Sequence, residues 1–556
     1  MEGNRRRGAR LRLALAGAAA ISLLGPLAWM WQDSLMPGAY SVMDMGYADY
    51  GGALTHMAAD ASAEHAAHAE QHTHAEHTAH AEQHTHAEHT AHAEQHTHGE
   101  HTAHGEHDDQ SAHGKDGGHP EHSASARTLT SLTADPDRPA DVAITLVARK
   151  QRFRLATGRS VDGYTLNGTS PGPVIHATLG QLVQVRLVNE SVPDGITLHW
   201  HGVDVPNAAD GVAGVTQDAV GVGRSFTYRF VADQAGTFWY HSHQVSHEQV
   251  RRGLLGALVV TPAARPAAGT ADVVALLHLY DGARTINGQE GDVHAEARPG
   301  ERVRVRVINT ENGQTPVWVG GAPFRLVAVD GTDLHEPAPV RDTAVMVTAG
   351  GRADIEVTMP EDGSPVRVHI GGPAGVVLGS RSYDLPAVPR PATSLDLLSY
   401  GTRAPLGFDP DRPDRRFGYE IGRRPGFLDG RPGIWWTING HMFPDVPMFV
   451  VAEGDVVRVR IVNDSGEPHP MHLHGHHAVV LARDGVRATG SPWWVDSLEV
   501  GSGESYDIAF VADNPGIWMD HCHNLPHATE GLVAHLMYEG ITTPFTMGGT
   551  AGNEPE

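Results

Sequence analysis

The chain has 556 residues, with 66 acidic side chains against 41 basic ones and a formal net charge of -25. That length exceeds one ordinary core and implies two to four domains of roughly 100 to 200 residues. The acidic balance excludes a nucleic-acid partner, since a protein that follows phosphates must neutralise them. A single cysteine, Cys522, excludes an internal disulfide and leaves a lone thiol between His521 and His523 as a candidate ligand or nucleophile.

The chain opens with Arg5, Arg6, Arg7, Arg10 and Arg12, followed by an uncharged stretch from Leu13 to Trp31. A positive flank before an apolar segment is an export signal, and residues 1–35 are expected to act as a signal anchor or a signal peptide. The protein is therefore expected outside the cytoplasm, either anchored on the outer face of the plasma membrane or secreted.

Residues 36–135 are expected to form a disordered His-rich linker. A twelve-residue unit beginning Ala-Glu-Gln-His-Thr-His starts at Ala69 and Ala81, and a slightly altered copy starts at Ala93. The stretch from His56 to His122 holds 19 of the 39 histidines and almost no large apolar residue, so it cannot bury enough surface to fold. It is either a solvated spacer or a weak binder of additional metal ions.

Beyond about Asp135 the sequence turns to short alternating runs bounded by Gly, Pro, Asn and Asp, the pattern of an all-β chain. One strand-like segment recurs three times, at Gly180 to Ser191, Gly300 to Glu311 and Gly454 to Ser465, and an Asn-Gly precedes each copy at Asn167, Asn287 and Asn439. The repetition implies three related Greek-key β-sandwich domains at residues 136–264, 265–390 and 391–545, with a tail at 546–556. Val231 to His243 and Val511 to His523 also match at a constant offset, which ties the first domain to the third.

Four motifs place histidines two residues apart: His199-Trp200-His201, His241-Ser242-His243, His472-Leu473-His474 and His521-Cys522-His523. On a strand, residues i and i+2 share a face, so each motif presents two imidazoles together. In the middle domain the corresponding position carries Val317-Trp318-Val319-Gly320, so the fold itself does not require the histidines. Clustered neutral imidazoles suit copper, zinc or nickel, and a thiolate with two histidines suits a blue-copper electron-transfer site. His469, Cys522 and His527 offer such a set. Alternation also turns Cys522 away from His521 and His523, so one short segment joins two donor groups.

Over about residues 140 to 541 these motifs resemble the multicopper oxidase family, the laccase-like enzymes. The resemblance rests on His-Trp-His-Gly from His199, Trp-Tyr-His-Ser-His from Trp239, His-Pro-Met-His-Leu-His-Gly from His469 and His-Cys-His-Asn-Leu-Pro-His from His521. It implies three cupredoxin-like domains, with the middle one a spacer without copper ligands, and four coppers per chain. A type 1 copper would take His469, Cys522 and His527, and a type 2 copper His199 and His472. One copper of a type 3 pair would take His201, His241 and His523, and the other His243, His474 and His521.

The resemblance further implies one-electron oxidation of a phenolic, aromatic amine or metal-ion reductant, with four-electron reduction of dioxygen to water. The chain departs from many relatives at two positions. The axial methionine position is Leu532, which cannot ligate, and an acid common six residues after the cysteine is Ala528. Asp210 matches a family acid near the type 2 copper and is expected to relay protons, with Glu530 as a second candidate; a plain turn role before Gly211 is the alternative for Asp210. Rival functions are a copper nitrite reductase, which needs no eight clustered histidines, and a copper-buffering or copper-resistance protein in which the His-rich tract is the working part.

Overall fold

The computed structural model describes residues 22, 24–52, 126–264, 270–380, 385 and 388–556. The expected metal-binding tract at 56–122 and the arginine-rich start lie outside them. Alternation of apolar and polar residues produces paired sheets three times along the chain. The first domain holds two four-stranded sheets, the second a seven- and a six-stranded sheet, and the third a six- and a seven-stranded sheet.

The recurring segments become Leu182–Asn189, Arg302–Asn309 and Val456–Asn463. Each lies between one parallel and one antiparallel neighbour, so the three hold the same place in their sheets. The Asn-Gly turns act alike too. Asn167, Asn287 and Asn439 have φ of 56°, 53° and 52°, the left-handed region that asparagine tolerates. Each side-chain oxygen accepts a backbone N–H, from Val147, Leu276 and Glu420, at 2.7 to 2.9 Å.

Each domain has its own apolar core. A further cluster joins all three, with Trp239, Val250, Leu255 and Ala257 from the first, Leu276 and Ile308 from the second and Leu525 from the third. That junction sits beside the paired histidines.

Two expected boundaries are corrected. The linker at 36–135 is folded at both ends: Ala39–Tyr40 pairs with Met547–Gly548, Tyr47–Asp49 extends the third domain's sheet beside Pro447–Val451, and Arg127–Thr128 pairs with Ile541–Thr542. Val42, Met45 and Leu129 are buried in the third domain's core, and burying such side chains contributes ~1.5–3 kcal/mol each, enough to hold short segments down. The tail at 546–556 is no free end either, since Asn553, Glu554 and Glu556 bond to Ala219, Gln244 and Ser246 of the first domain.

Residues 24–33 are helical, with Leu24, Leu27, Trp29, Met30 and Trp31 exposed, and Trp31 Nε1 donates to Gly430 O at 3.0 Å. Among the described residues no helix is long and apolar enough to cross a membrane.

Candidate metal centres

Strand pairing builds the larger centre. In the first domain His199–His201 runs antiparallel to Gly236–His241, with His199 opposite His241. In the third, His469–Leu473 runs antiparallel to Ile517–Cys522, with His472 opposite His521 and Met471 opposite Cys522. His523 and His474 follow directly after their strands, and His243 one residue further on, after Ser242. All eight histidines are essentially inaccessible to solvent. Across the domain boundary His201 stacks on His472 at 3.7 Å between ring centroids, and His199 on His474 at 3.8 Å.

The pair assigned to a type 2 ion, His199 and His472, brings its Nε2 atoms within 3.4 Å. His243, His474 and His521 form one compact donor group. His201, His241 and His523 lie ring to ring at 4.9 to 5.6 Å, while the donor atoms of His199, His201 and His241 lie within 4.8 Å of one another.

Outside the cluster, polar groups hold the rings. Asp210 reaches His199 Nδ1 with one oxygen and His474 Nδ1 with the other, each at 3.1 Å, and it is buried. His472 Nδ1 meets Asp496 O at 2.9 Å and His241 Nδ1 meets Ser242 O at 3.0 Å. Two contacts come from the C-terminal segment, which sequence reasoning set aside as a tail. His243 Nδ1 meets Pro555 O at 3.1 Å, and Glu556 Oε1 lies 3.2 Å from His521 Nδ1. No local signal marks Glu556, because its partner is set by the path of the whole segment.

The donor set fits a metal. Nε2 of His241 and His243, Nδ1 of His201 and both nitrogens of His523 are buried without a protein partner, which is costly unless something else binds them. His201, His241, His243, His474, His521 and His523 are held well below the ordinary imidazole value, first by burial and then by neighbouring imidazoles. Their lone pairs are therefore free to ligate, and a cluster of imidazole nitrogens with no thiolate suits copper better than calcium or magnesium.

The smaller centre lies on the other face of His521-Cys522-His523. Cys522 Sγ is 3.6 Å from His469 Nδ1 and 3.7 Å from His527 Nδ1, and the two nitrogens are 3.1 Å apart. A metal ion about 2.0 Å from each nitrogen and about 2.3 Å from the sulfur spans such a triangle. Ser465 Oγ holds His469 Nε2 at 2.8 Å, and Asn524 Nδ2 lies 3.1 Å from His527 Nε2. Trp436 packs on both imidazoles at 4.7 and 4.6 Å, a contact with no motif to announce it. Leu532 is fully buried in the same core as Cys522, and its backbone carbonyl accepts the Cys522 N–H at 3.1 Å.

Glu530 belongs to this smaller centre rather than to the cluster. Its Oε2 accepts from Trp436 Nε1 at 2.9 Å. Ala528, Glu530 and Glu556 line one cavity of about 520 Å³, and of the two acids it is Glu556 that reaches the cluster histidines. Trp493 is buried and Trp494 half-buried.

Sequence comparison finds the family described as multicopper oxidase over residues 148–265, 266–366 and 418–540. Laccase-1 of Botryotinia fuckeliana is 28% identical over 453 residues, covering 69% of this chain and 79% of its own. Multicopper oxidase MmcO of Mycobacterium tuberculosis is 26% identical over 469 residues, covering 73% and 88%. Among solved structures, a multi-copper oxidase from Pseudomonas thermotolerans is 26% identical with a TM-score of 0.57, over 72% of this chain and all of that one.

Proposed function

This chain belongs to the multicopper oxidase family, an oxidoreductase that couples oxidation of a reducing substrate to reduction of dioxygen, and on that premise we propose that it binds four coppers in the two centres above. His469, Cys522 and His527 would hold the type 1 ion, and His199 and His472 the type 2 ion. His201, His241 and His523 would hold one ion of the type 3 pair, and His243, His474 and His521 the other. Copper, when bound, supplies the one-electron redox steps and the centre at which dioxygen is reduced.

The carrying observation is that one three-residue segment belongs to both donor sets: Cys522 faces His469 and His527 while His521 and His523 face the cluster. Cys522 thus gives electrons a short covalent route between them. Asp210, bonded to a ring from each domain, fixes both imidazoles and is placed to hold a proton beside them. Trp436 and Asn524 cover His527, so the reductant meets the small centre through this partly buried edge. Phenols, aromatic amines and metal ions all remain substrates to test. Eight clustered histidines favour this reading over a nitrite reductase or a purely copper-buffering protein.

The arginine-rich start supports export, with the protein anchored on the outer face of the plasma membrane or secreted. The His-rich tract supports weak additional metal binding. Unchanged copper loading at limiting copper after removal of residues 56–122 would end that idea. For the oxidase assignment, the experiment is metal analysis with oxygen uptake. Four coppers, a blue chromophore and oxygen consumption are expected, and one or two coppers in a fully loaded active sample would reject the assignment.

A further inference from the structure

Five of the eight clustered imidazoles hold Nδ1 on a carbonyl or carboxylate, His199, His241, His243, His472 and His474, and His521 Nδ1 lies 3.2 Å from Glu556 Oε1 without a hydrogen bond between them. His201 is reversed. Its Nε2 meets Ser497 Oγ at 3.1 Å and Asp496 Oδ1 at 3.2 Å, and its Nδ1 is the buried atom without a protein partner. An ionised carboxylate only accepts, so Asp496 takes the N–H of Nε2 and leaves Nδ1 with its lone pair. Asp496 also holds His472, through its backbone carbonyl and with Oδ1 3.5 Å from Nδ1. One residue therefore supports a ligand from each copper-binding domain.

Asp496 is itself fully buried, and its Oδ2 faces two cationic groups, His477 Nε2 of its own domain at 3.2 Å and a guanidinium from the middle domain. Arg352 Nη1 donates to Asp496 Oδ1 at 2.7 Å and Nη2 to Oδ2 at 2.5 Å. Arg352 Nε donates to Thr237 O of the first domain at 3.0 Å, so all three domains meet at one guanidinium. Asp330 completes the clamp, accepting the Arg352 N–H at 2.8 Å with one oxygen and the Asp496 and Ser497 N–H groups at 3.3 and 3.2 Å with the other. A bidentate fork fixes the plane of a carboxylate as well as its place. Gly202, in the His-Trp-His-Gly motif, leaves room for this fork: its φ is +80°, and a Cβ there would collide with the Arg352 guanidinium. Gly350, two residues before Arg352, packs so closely on His201 and His523 that a Cβ would lie 2.7 and 2.9 Å from their rings.

We propose that Arg352 is a positioning residue for the cluster: through Asp496, the middle domain fixes His201 against His472. This rests on the ligand assignment above, and it makes the middle domain a part of the metal site rather than a spacer.

The test compares copper-loaded wild type, Arg352→Met, Arg352→Lys and the double variant Arg352→Met/Asp496→Leu. Copper retained against a chelator, blue absorbance, the EPR-detectable share of copper and thermal unfolding are measured on each. Arg352→Met is expected to keep the blue chromophore but hold cluster copper about 10- to 100-fold less tightly, the usual effect of losing an outer partner of a ligand. Arg352→Lys should recover part of the loss, because an ammonium restores the charge without the fork. The double variant should recover thermal stability, since an apolar pair can replace a buried ion pair, but not cluster copper. Cluster copper at the wild-type level in Arg352→Met, or regained together with stability in the double variant, would reduce the pair to packing and overturn the inference. If Arg352→Met does not fold, the double variant decides by the same criterion. Wild type holding a single copper would instead overturn the ligand assignment, and the inference with it.

Discussion

The two candidate metal centres share a three-residue segment but are built in different ways. The smaller one is made inside a single domain, from His469 and the Cys522 to His527 segment, with its most distant candidate donors 58 residues apart in sequence. The cluster joins His199 to His472, 273 residues away, and its outer supports come from the first domain at Asp210, the third at Asp496 and the C-terminal segment at Pro555 and Glu556. A centre made within one sandwich inherits that sandwich's rigidity. A centre made between sandwiches holds its geometry only while the interface and its straps are in place, so damage at the interfaces should empty the cluster before it bleaches the blue site.

The largest expected effect removes the shared element. Cys522→Ser should abolish both blue absorbance and oxygen uptake while copper remains in the cluster, measured as metal per chain beside the visible spectrum. Loss of all copper would show that the two centres are not independent. Next comes Asp210→Asn, expected to lower turnover by about 100-fold, a typical contribution from a placed proton-transfer group. Stopped-flow bleaching of the blue site without oxygen should keep its normal rate, and normal reoxidation by oxygen would reduce Asp210 to a turn former.

Glu556→Ala tests the strap. About tenfold weaker retention of cluster copper is expected from the lost support of His521, with the blue site intact. Equal loss from both centres would mean that the segment serves global stability. The smallest effect stays inside the local site: Leu532→Met should add a weak axial donor and lower the type 1 potential, by on the order of 59 mV for a tenfold change in a one-electron equilibrium. A redox titration with an unchanged or higher potential would leave Leu532 as a core residue, and any change in cluster copper would break the expected independence.

What the sequence determines here is what depends on neighbours along the chain. Period-two alternation fixes that His199 and His201 share a face, and that Cys522 opposes His521 and His523, because side-chain direction on a strand follows from backbone geometry alone. The Asn-Gly turns at Asn167, Asn287 and Asn439 are equally local, since a left-handed turn selects its residues directly.

Other features follow from how the three sandwiches meet. Glu530 is only eight residues past Cys522, yet its carboxylate turns to Trp436, while Glu556 reaches His521 from the segment taken for a tail. Residues 39–49 lie within the stretch expected to be a disordered linker, yet they gain partners in the third domain's sheet and core. Arg352 carries no motif, because its meaning depends on a buried carboxylate 144 residues away. A buried charge or an unpaired ring nitrogen must find a partner wherever the packed chain supplies one, and only the tertiary structure decides which residue that is.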